Sequence, residues 1–172
     1  MQYRPFGELG YDVSALGFGC MRFPRTDDGG IDGPEATRML HWAIDHGVNY
    51  LDTGYPYHDG QSEPFLGRAL QGGYRDRVKL ATKLLVRIAE KPEDFDRLLN
   101  EQLERLQTDH VDVYLLHGLR RHRWAKAVSM GVLDFLDHAL ADGRIGAAGF
   151  SFHDSFEVLK EIVDSYDRWR VC

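Results

Sequence analysis

"NYLDTGYPYHDGQSEPFLGRALQGGYRDRVKLATK" spans residues 49–83, and its two ends decide the fold. It opens on Asn49 to Asp52, a short run with apolar residues at its centre. It closes on Val78 to Lys83, a second run of strand length. Between them "SEPFLGRAL" reads as a helix, closed by Gly72-Gly73. Two strands joined through a helix require the chain to cross back over the sheet, which makes them parallel.

The pattern recurs in both directions. Before it, Ala36, Met39, Leu40, Ala43 and Ile44 fall at helical spacing and stop at Gly47, a residue suited to the left-handed position past a helix. Ala15 to Gly19 reads as a short buried strand, and "QYRPFGELGYDVSALGF" begins as a hairpin turning at Glu8-Leu9-Gly10. After it, Phe95, Leu98, Leu99, Leu103 and Leu106 mark a helix with Pro92 near its start. "VDVYLLH" (111–117) is a strand, Leu133, Leu136 and Leu140 a helix closed by Gly143, and "IGAAGFS" (145–151) a strand. Phe156, Leu159 and Val163 give a fifth helix, and "WRVC" the first residues of a sixth strand. The predicted fold is therefore α/β: an N-terminal hairpin plus about five β/α units, one domain over residues 1–172 with no linker inside it. An open doubly wound sheet would carry a glycine-rich phosphate loop after its first strand. "GFGCMR" lacks the third glycine, so the pattern favours a partial (β/α)8 TIM barrel.

Composition narrows the function. The 172 residues are 43% hydrophobic and 28% charged, as in a globular domain. The net charge of −6 argues against nucleic acid as a partner, because phosphate binding needs a basic face. The basic run "RRHRWAK" (120–126) is read as a solvated or substrate-facing loop. No apolar run approaches the ~18 residues of a membrane helix, and "MQYRPFGELG" lacks a signal peptide's apolar stretch, so no membrane partner is expected. Cys20 and Cys172 form neither a CxxC pair nor a zinc spacing, which leaves the cytoplasm as the expected location.

The strand ends are where the chemistry gathers. Asp52, Lys83, His117 and Ser151 follow one another at 31, 34 and 34 residues, close to the ~30 residues of one βα unit. They are expected at one level on the C-terminal rim, where barrel enzymes place their sites. Singly each has an ordinary reading: a turn aspartate, a solvated lysine, a satisfied histidine. Together with the loop tyrosines they form a set with a purpose. A phenol is a weak acid at neutral pH, and a nearby ammonium favours its anion. A buried lysine needs a partner, which Asp52 supplies, and a histidine can orient a carbonyl oxygen. Such a set is a general-acid site for carbonyl reduction. A barrel metallohydrolase using Asp52, His58, His117 and His153 is disfavoured, since no His-x-His pair occurs and Lys83 would repel a metal.

At these residues the chain resembles the aldo-keto reductases. "LDTGYPYHDGQSEPFLGRAL" is similar to the family's Asp-Thr-(Ala/Gly)-x-x-Tyr and Ser-Glu-x-x-Leu-Gly segments, "ATK" to its strand-end lysine, and "DVYLLHG" to its strand-end histidine. "SALGFGCMR" and "GRIGAAGFSFHD" extend the resemblance over essentially the whole chain. "GFSFHD" is closest to a branch that often carries a C-terminal iron–sulfur extension. The resemblance implies an NADP(H)-dependent reductase of aldehydes and ketones, with NAD(H) as the alternative cofactor and a small carbonyl compound as substrate. It implies a catalytic tetrad of Asp52, Tyr57, Lys83 and His117, with Tyr57 rather than Tyr55 as the acid. Gly19, Cys20, Met21 and Asp52 would line the nicotinamide side, and Ser151 would hold the carboxamide. Cys20 stands where many members have threonine, and Phe152 where many have asparagine. Tyr55 and His58 are expected to line the rim, and Glu63 to open a helix.

A full barrel takes ~250 residues. In the family the loops holding the cofactor's pyrophosphate and adenosine phosphate follow the seventh and eighth strands, and this chain supplies neither. The expectation is a fragment, a truncated gene product, or a half-barrel that must associate through its open edges. The alternative function is a non-catalytic homologue acting as a nucleotide-binding or scaffold protein.

Overall fold

The structure, a computed structural model, describes residues 1–172. An antiparallel hairpin of β1 (Tyr3–Pro5) and β2 (Asp12–Ser14) comes first. The main sheet follows: β3 (Phe18–Gly19), β4 (Tyr50–Asp52), β5 (Lys79–Leu84), β6 (Val113–Leu119), β7 (Ala148–Phe152) and β8 (Trp169–Val171). These six lie side by side in chain order and all pair parallel. The crossovers are α1 (Gly33–Asp45), α2 (Ser62–Ala69), α3 (Glu93–Leu106), α4 (Arg121–Ser129) with α5 (Val132–Ala141), and α6 (Phe156–Asp164). The predicted alternation stands, and "WRVC" does supply a sixth parallel strand.

Local chemistry fixes the helix ends. Asp32 caps α1 by accepting the Glu35 N–H, with Pro34 in the first turn. Before α3, the Asp94 carboxylate turns back to accept the N–H groups of Glu90 and Lys91 at 2.8 and 3.2 Å. Gly47, past the end of α1, has φ +94°, and an added Cβ there would meet Tyr3 Oη at 2.7 Å.

Strand alternation sends one set of side chains to each face of the sheet. The outer set, including Leu51, Leu80, Leu84, Tyr114, Leu116 and Phe150, joins the helices in a core cluster of 37 buried residues. The inner set is small: Ala81, Val113, Leu115 and Ala147, closed over by Phe6 and Leu9 of the hairpin and by Tyr50. The hairpin therefore plugs the inside of the curved sheet. At the same end Asp112 is buried and ties β5 to β6. Its carboxylate accepts the Leu80 N–H at 2.9 Å and pairs with Lys79 at 2.9 Å and Arg75 at 3.2 Å.

Three expectations need correction. Ala15 to Gly19 is not a buried strand: only Phe18 and Gly19 pair, and Gly19 is exposed, because β3 is an edge with β4 on one side alone. Lys83, His117 and Ser151 are not the last residues of their strands, which run on to Leu84, Leu119 and Phe152. The basic run at 120–126 is not a loop. It forms the start of α4, with Trp124 and Ala127 buried on one face, and the Arg121 N–H is capped at 2.9 Å by Asp154 from beyond β7.

Candidate active site

The loop after β4 is set by its backbone. The Tyr57 N–H closes a turn onto the Gly54 carbonyl at 3.0 Å, and the Gly60 and Ser62 N–H groups return to the Tyr57 carbonyl. Residue 54 has to be small: an added Cβ would stand 3.3 Å from two ring carbons of Tyr57. Asp52 ends β4 with its side chain 32% exposed, and Tyr57 is half-buried beside it.

Lys83 organises the centre. It projects from β5 two residues beyond Ala81, the neighbour of Asp52 in register, and reaches back across the strand. Its side chain is 6% exposed. A buried ammonium is tolerated only when paired and hydrogen-bonded. Lys83 Nζ donates to Asp52 Oδ1 at 2.6 Å, to the Thr53 carbonyl at 2.5 Å and to Tyr57 Oη at 2.9 Å. All three of its protons are used, and the ammonium lies 4.6 Å from the Tyr57 ring centre.

His117 closes the group from β6. Its ring meets the Tyr57 ring edge-on, with centroids 6.0 Å apart and planes at 82°. Burial, reinforced by Lys83, Arg123 and Arg87, pushes its pKa down to about 4. The imidazole is therefore neutral across the physiological range. Its Nδ1 atom is buried without a partner in the protein. The four residues of the predicted tetrad thus come together.

The remaining residues divide. Gly19 lies beside Asp52 in register, with nothing within 4 Å of where a Cβ would stand, and Met21 is 53% exposed. Both offer surface on the rim. Cys20 between them faces inward. It is fully buried, its N–H donates to the Asp52 carbonyl at 2.8 Å, and its own carbonyl accepts from Ser62 Oγ. Burial, then the Asp52 charge, push its thiol well above the usual range, so it is no nucleophile. Ser151 Oγ accepts the Gly118 N–H at 2.7 Å, which leaves its hydroxyl proton available.

Sequence reasoning missed part of this. The Thr53 carbonyl, a main-chain ligand of Lys83, has no residue-type signature. Glu63 does sit in the first turn of α2, but it is 1% exposed and works in a buried network. Its Oε1 accepts from Thr82 Oγ1 at 2.6 Å and Gln102 Nε2 at 2.5 Å. Gln102 also takes the Tyr114 hydroxyl on Oε1 and donates to the Lys83 carbonyl at 3.2 Å. Glu63 Oε2 faces Arg105 Nη1 at 3.5 Å. Tyr55 packs under the Arg105 guanidinium at 4.3 Å. His58 does not line the rim: it is buried, with Nε2 accepting the Phe23 N–H. A polar residue placed three or four positions from apolar ones on a short helix, as Glu63 is from Leu66, was the one available signal.

Comparison with known proteins gives the family. The Aldo/keto reductase family profile matches residues 15–170. Aldo-keto reductase YhdN of Bacillus subtilis is 34% identical over 126 residues, which cover 68% of this chain and 38% of that protein. The holo form of aldo-keto reductase AKR11C1 from Bacillus halodurans superposes with a TM-score of 0.78 at 30% identity, over 99% of this chain and 55% of that one. An aldo-keto reductase from Klebsiella pneumoniae, solved with NADPH, gives a TM-score of 0.75 at 28% identity, over 94% of this chain and 53% of that one. The chain spans between about two-fifths and just over half the length of these relatives. A profile match over nearly its whole length, on a six-stranded parallel sheet carrying the Asp52–Tyr57–Lys83–His117 cluster, makes this chain a member of the aldo/keto reductase family.

Proposed function

We propose that the chain carries the proton-donating half of an NADP(H)-dependent reductase of aldehydes and ketones, with Tyr57 as general acid. The observation that carries this reading is the 2.9 Å bond from Lys83 Nζ to Tyr57 Oη, made while Asp52 and Thr53 hold the other two ammonium protons. When the Tyr57 O–H bond breaks and its proton passes to the substrate's carbonyl oxygen, a phenolate remains. An ammonium already bonded to that oxygen stabilises the phenolate with no reorganisation. Asp52 holds Lys83 Nζ aimed at that oxygen. His117, neutral, is suited to hydrogen-bond the same carbonyl oxygen beside Tyr57.

The residues fit the cofactor. Gly19, open on its Cβ side, and exposed Met21 offer open surface next to partly exposed Asp52, and Ser151 has a hydroxyl proton to give. Cys20 shapes this surface from behind through its bonds to Asp52 and Ser62. Bound there, the nicotinamide would supply the hydride for the carbonyl carbon. The choice of NADP(H) over NAD(H) is supported by the Klebsiella pneumoniae relative solved with NADPH.

The test is NADPH oxidation by the full chain with a reactive aldehyde, alongside Tyr57→Phe. Loss of the acid should lower kcat by at least ~100-fold. An unchanged rate would remove Tyr57 from the acid role. Cofactor binding without any turnover would point instead to a nucleotide-binding homologue.

A further inference from the structure

His58 lies outside the tetrad, next to Tyr57, and its setting is unusual. It is 7% exposed, and its Nε2 accepts the Phe23 N–H at 3.0 Å. Its ring lies against the Phe23 ring, with centroids 5.7 Å apart and planes at 34°. With Nε2 accepting, the neutral ring carries its proton on Nδ1, which is buried and unpartnered. The backbone is constrained as well. His58, Asp59 and Gly60 have φ of +52°, +55° and +85°, three left-handed residues in succession. Only the glycine takes that conformation freely, and such strain persists where the surroundings over-determine it.

The histidine spans to the segment Cys20–Phe23. One end of that segment is fixed by the Cys20 bonds to Asp52 and Ser62. The other end is fixed by the Phe23 N–H on His58 and by the Phe23 ring, which packs edge-on against Phe65 of α2 at 4.8 Å. Met21 and Arg22 are exposed between the two anchors. The bond needs an unprotonated Nε2. Burial first, then the Arg25 charge on the β3–α1 loop, lower the ring's pKa, while neighbouring Asp59 opposes them; α2 presents apolar Phe65.

We propose that His58 is a positioning residue. Through Phe23 it suspends the Cys20–Phe23 segment at a fixed place relative to Tyr57, so that the hydride donor and the proton donor keep one geometry. The inference rests on the reductase reading given above. A misplacement of ~1 Å between reacting groups costs on the order of 100-fold in rate.

The test uses the full chain with His58→Leu and His58→Gln, the glutamine Oε1 being able to accept the Phe23 N–H at similar reach. Two readouts are taken: hydrogen exchange at the Phe23 amide by NMR, and the kcat and KM of NADPH-dependent aldehyde reduction. In His58→Leu the Phe23 amide should exchange at least ~10-fold faster. In the same variant kcat should fall ~10-fold or more, with KM for the aldehyde within about twofold. His58→Gln should restore both. Unchanged Phe23 protection in His58→Leu overturns the proposal, as does a His58→Gln variant that exchanges and turns over like the leucine one, which would make the residue packing alone. If His58→Leu does not fold, wild-type protection and kcat in His58→Gln are required, and their loss overturns the tie. A wild-type chain without turnover overturns the reductase reading and with it the catalytic purpose of His58, while Phe23 exchange still decides whether the tie exists.

Discussion

Lys83 shows what one residue can be asked to do. Its ammonium has three donors, and the fold supplies one carboxylate, one carbonyl and one phenol. Lys83→Met keeps the length and removes the charge, so the phenolate would lose its stabilising partner. The expected result is a kcat lower by ~100-fold or more, measured as NADPH oxidation with a reactive aldehyde. His117 gives a prediction in a different observable. Its folded pKa is about 4 against an unfolded 6.5. Between those values the unfolded chain binds more protons than the folded one, so stability is full above pH ~6.5 and falls as the pH drops toward ~4. Discounted for partial exposure, the loss is on the order of 1–2 kcal/mol. His117→Gln should flatten that part of the profile in urea unfolding at pH 7 and pH 4.5. An unchanged slope would mean that the ring titrates normally in the fold.

At the scale of elements, the site depends on how closely α2 and α3 approach behind β5. Gly67 is the contact point: an added Cβ would run into the Arg105 carbonyl and stand 2.9 Å from the Leu106 carbonyl carbon. Both are backbone atoms and cannot turn aside. Gly67→Ala, favourable for an isolated helix, should here destabilise the protein by ~1–3 kcal/mol in chemical denaturation. The same approach brings Gln102 of α3 to Glu63 of α2 and to the Lys83 carbonyl. Gln102→Leu would strip the Tyr114 hydroxyl of its buried acceptor and Glu63 of a donor. A loss of ~2–4 kcal/mol is expected by the same measurement. A loss below ~1 kcal/mol would mean that water replaces the amide.

At the scale of the chain, the parallel sheet of residues 1–172 has β3 and β8 as its outer strands. β3 pairs only with β4, and β8 only with β7. Beside β3, Leu16 and Trp42 are 62% and 60% exposed, and with Met39 they line a cavity of about 540 Å³. On α6, next to β8, Phe156 is 72% exposed. Unpaired parallel edges flanked by apolar surface favour association. Sedimentation velocity at tens of micromolar is expected to show a dimer or larger species, and Trp42→Lys should shift it toward monomer. A monomer at every concentration would mean that these edges are tolerated alone. No helix is long and apolar enough to cross a membrane.

The sequence by itself determined the alternation of strands and helices, their parallel order, and the common level of Asp52, Lys83 and His117, whereas Tyr57 was singled out only by the resemblance to the aldo-keto reductases. The first three follow from periodicity and from the length of a βα unit, which are properties of the local chain. It was silent wherever the deciding partner lies far along the chain. The basic run at 120–126 lacks a cap of its own and became a helix because Asp154 supplies one. Glu63 looked like a helix start, and its burial was decided by Thr82 and Gln102. His58 looked like a rim residue, and it turned inward because Phe23 presents an N–H there. Lys83 could be placed near Asp52 by counting, but the third bond that completes its ammonium comes from the Thr53 backbone. Polar groups are set by whichever partner reaches them once water is excluded, and only the packed chain brings those partners within reach.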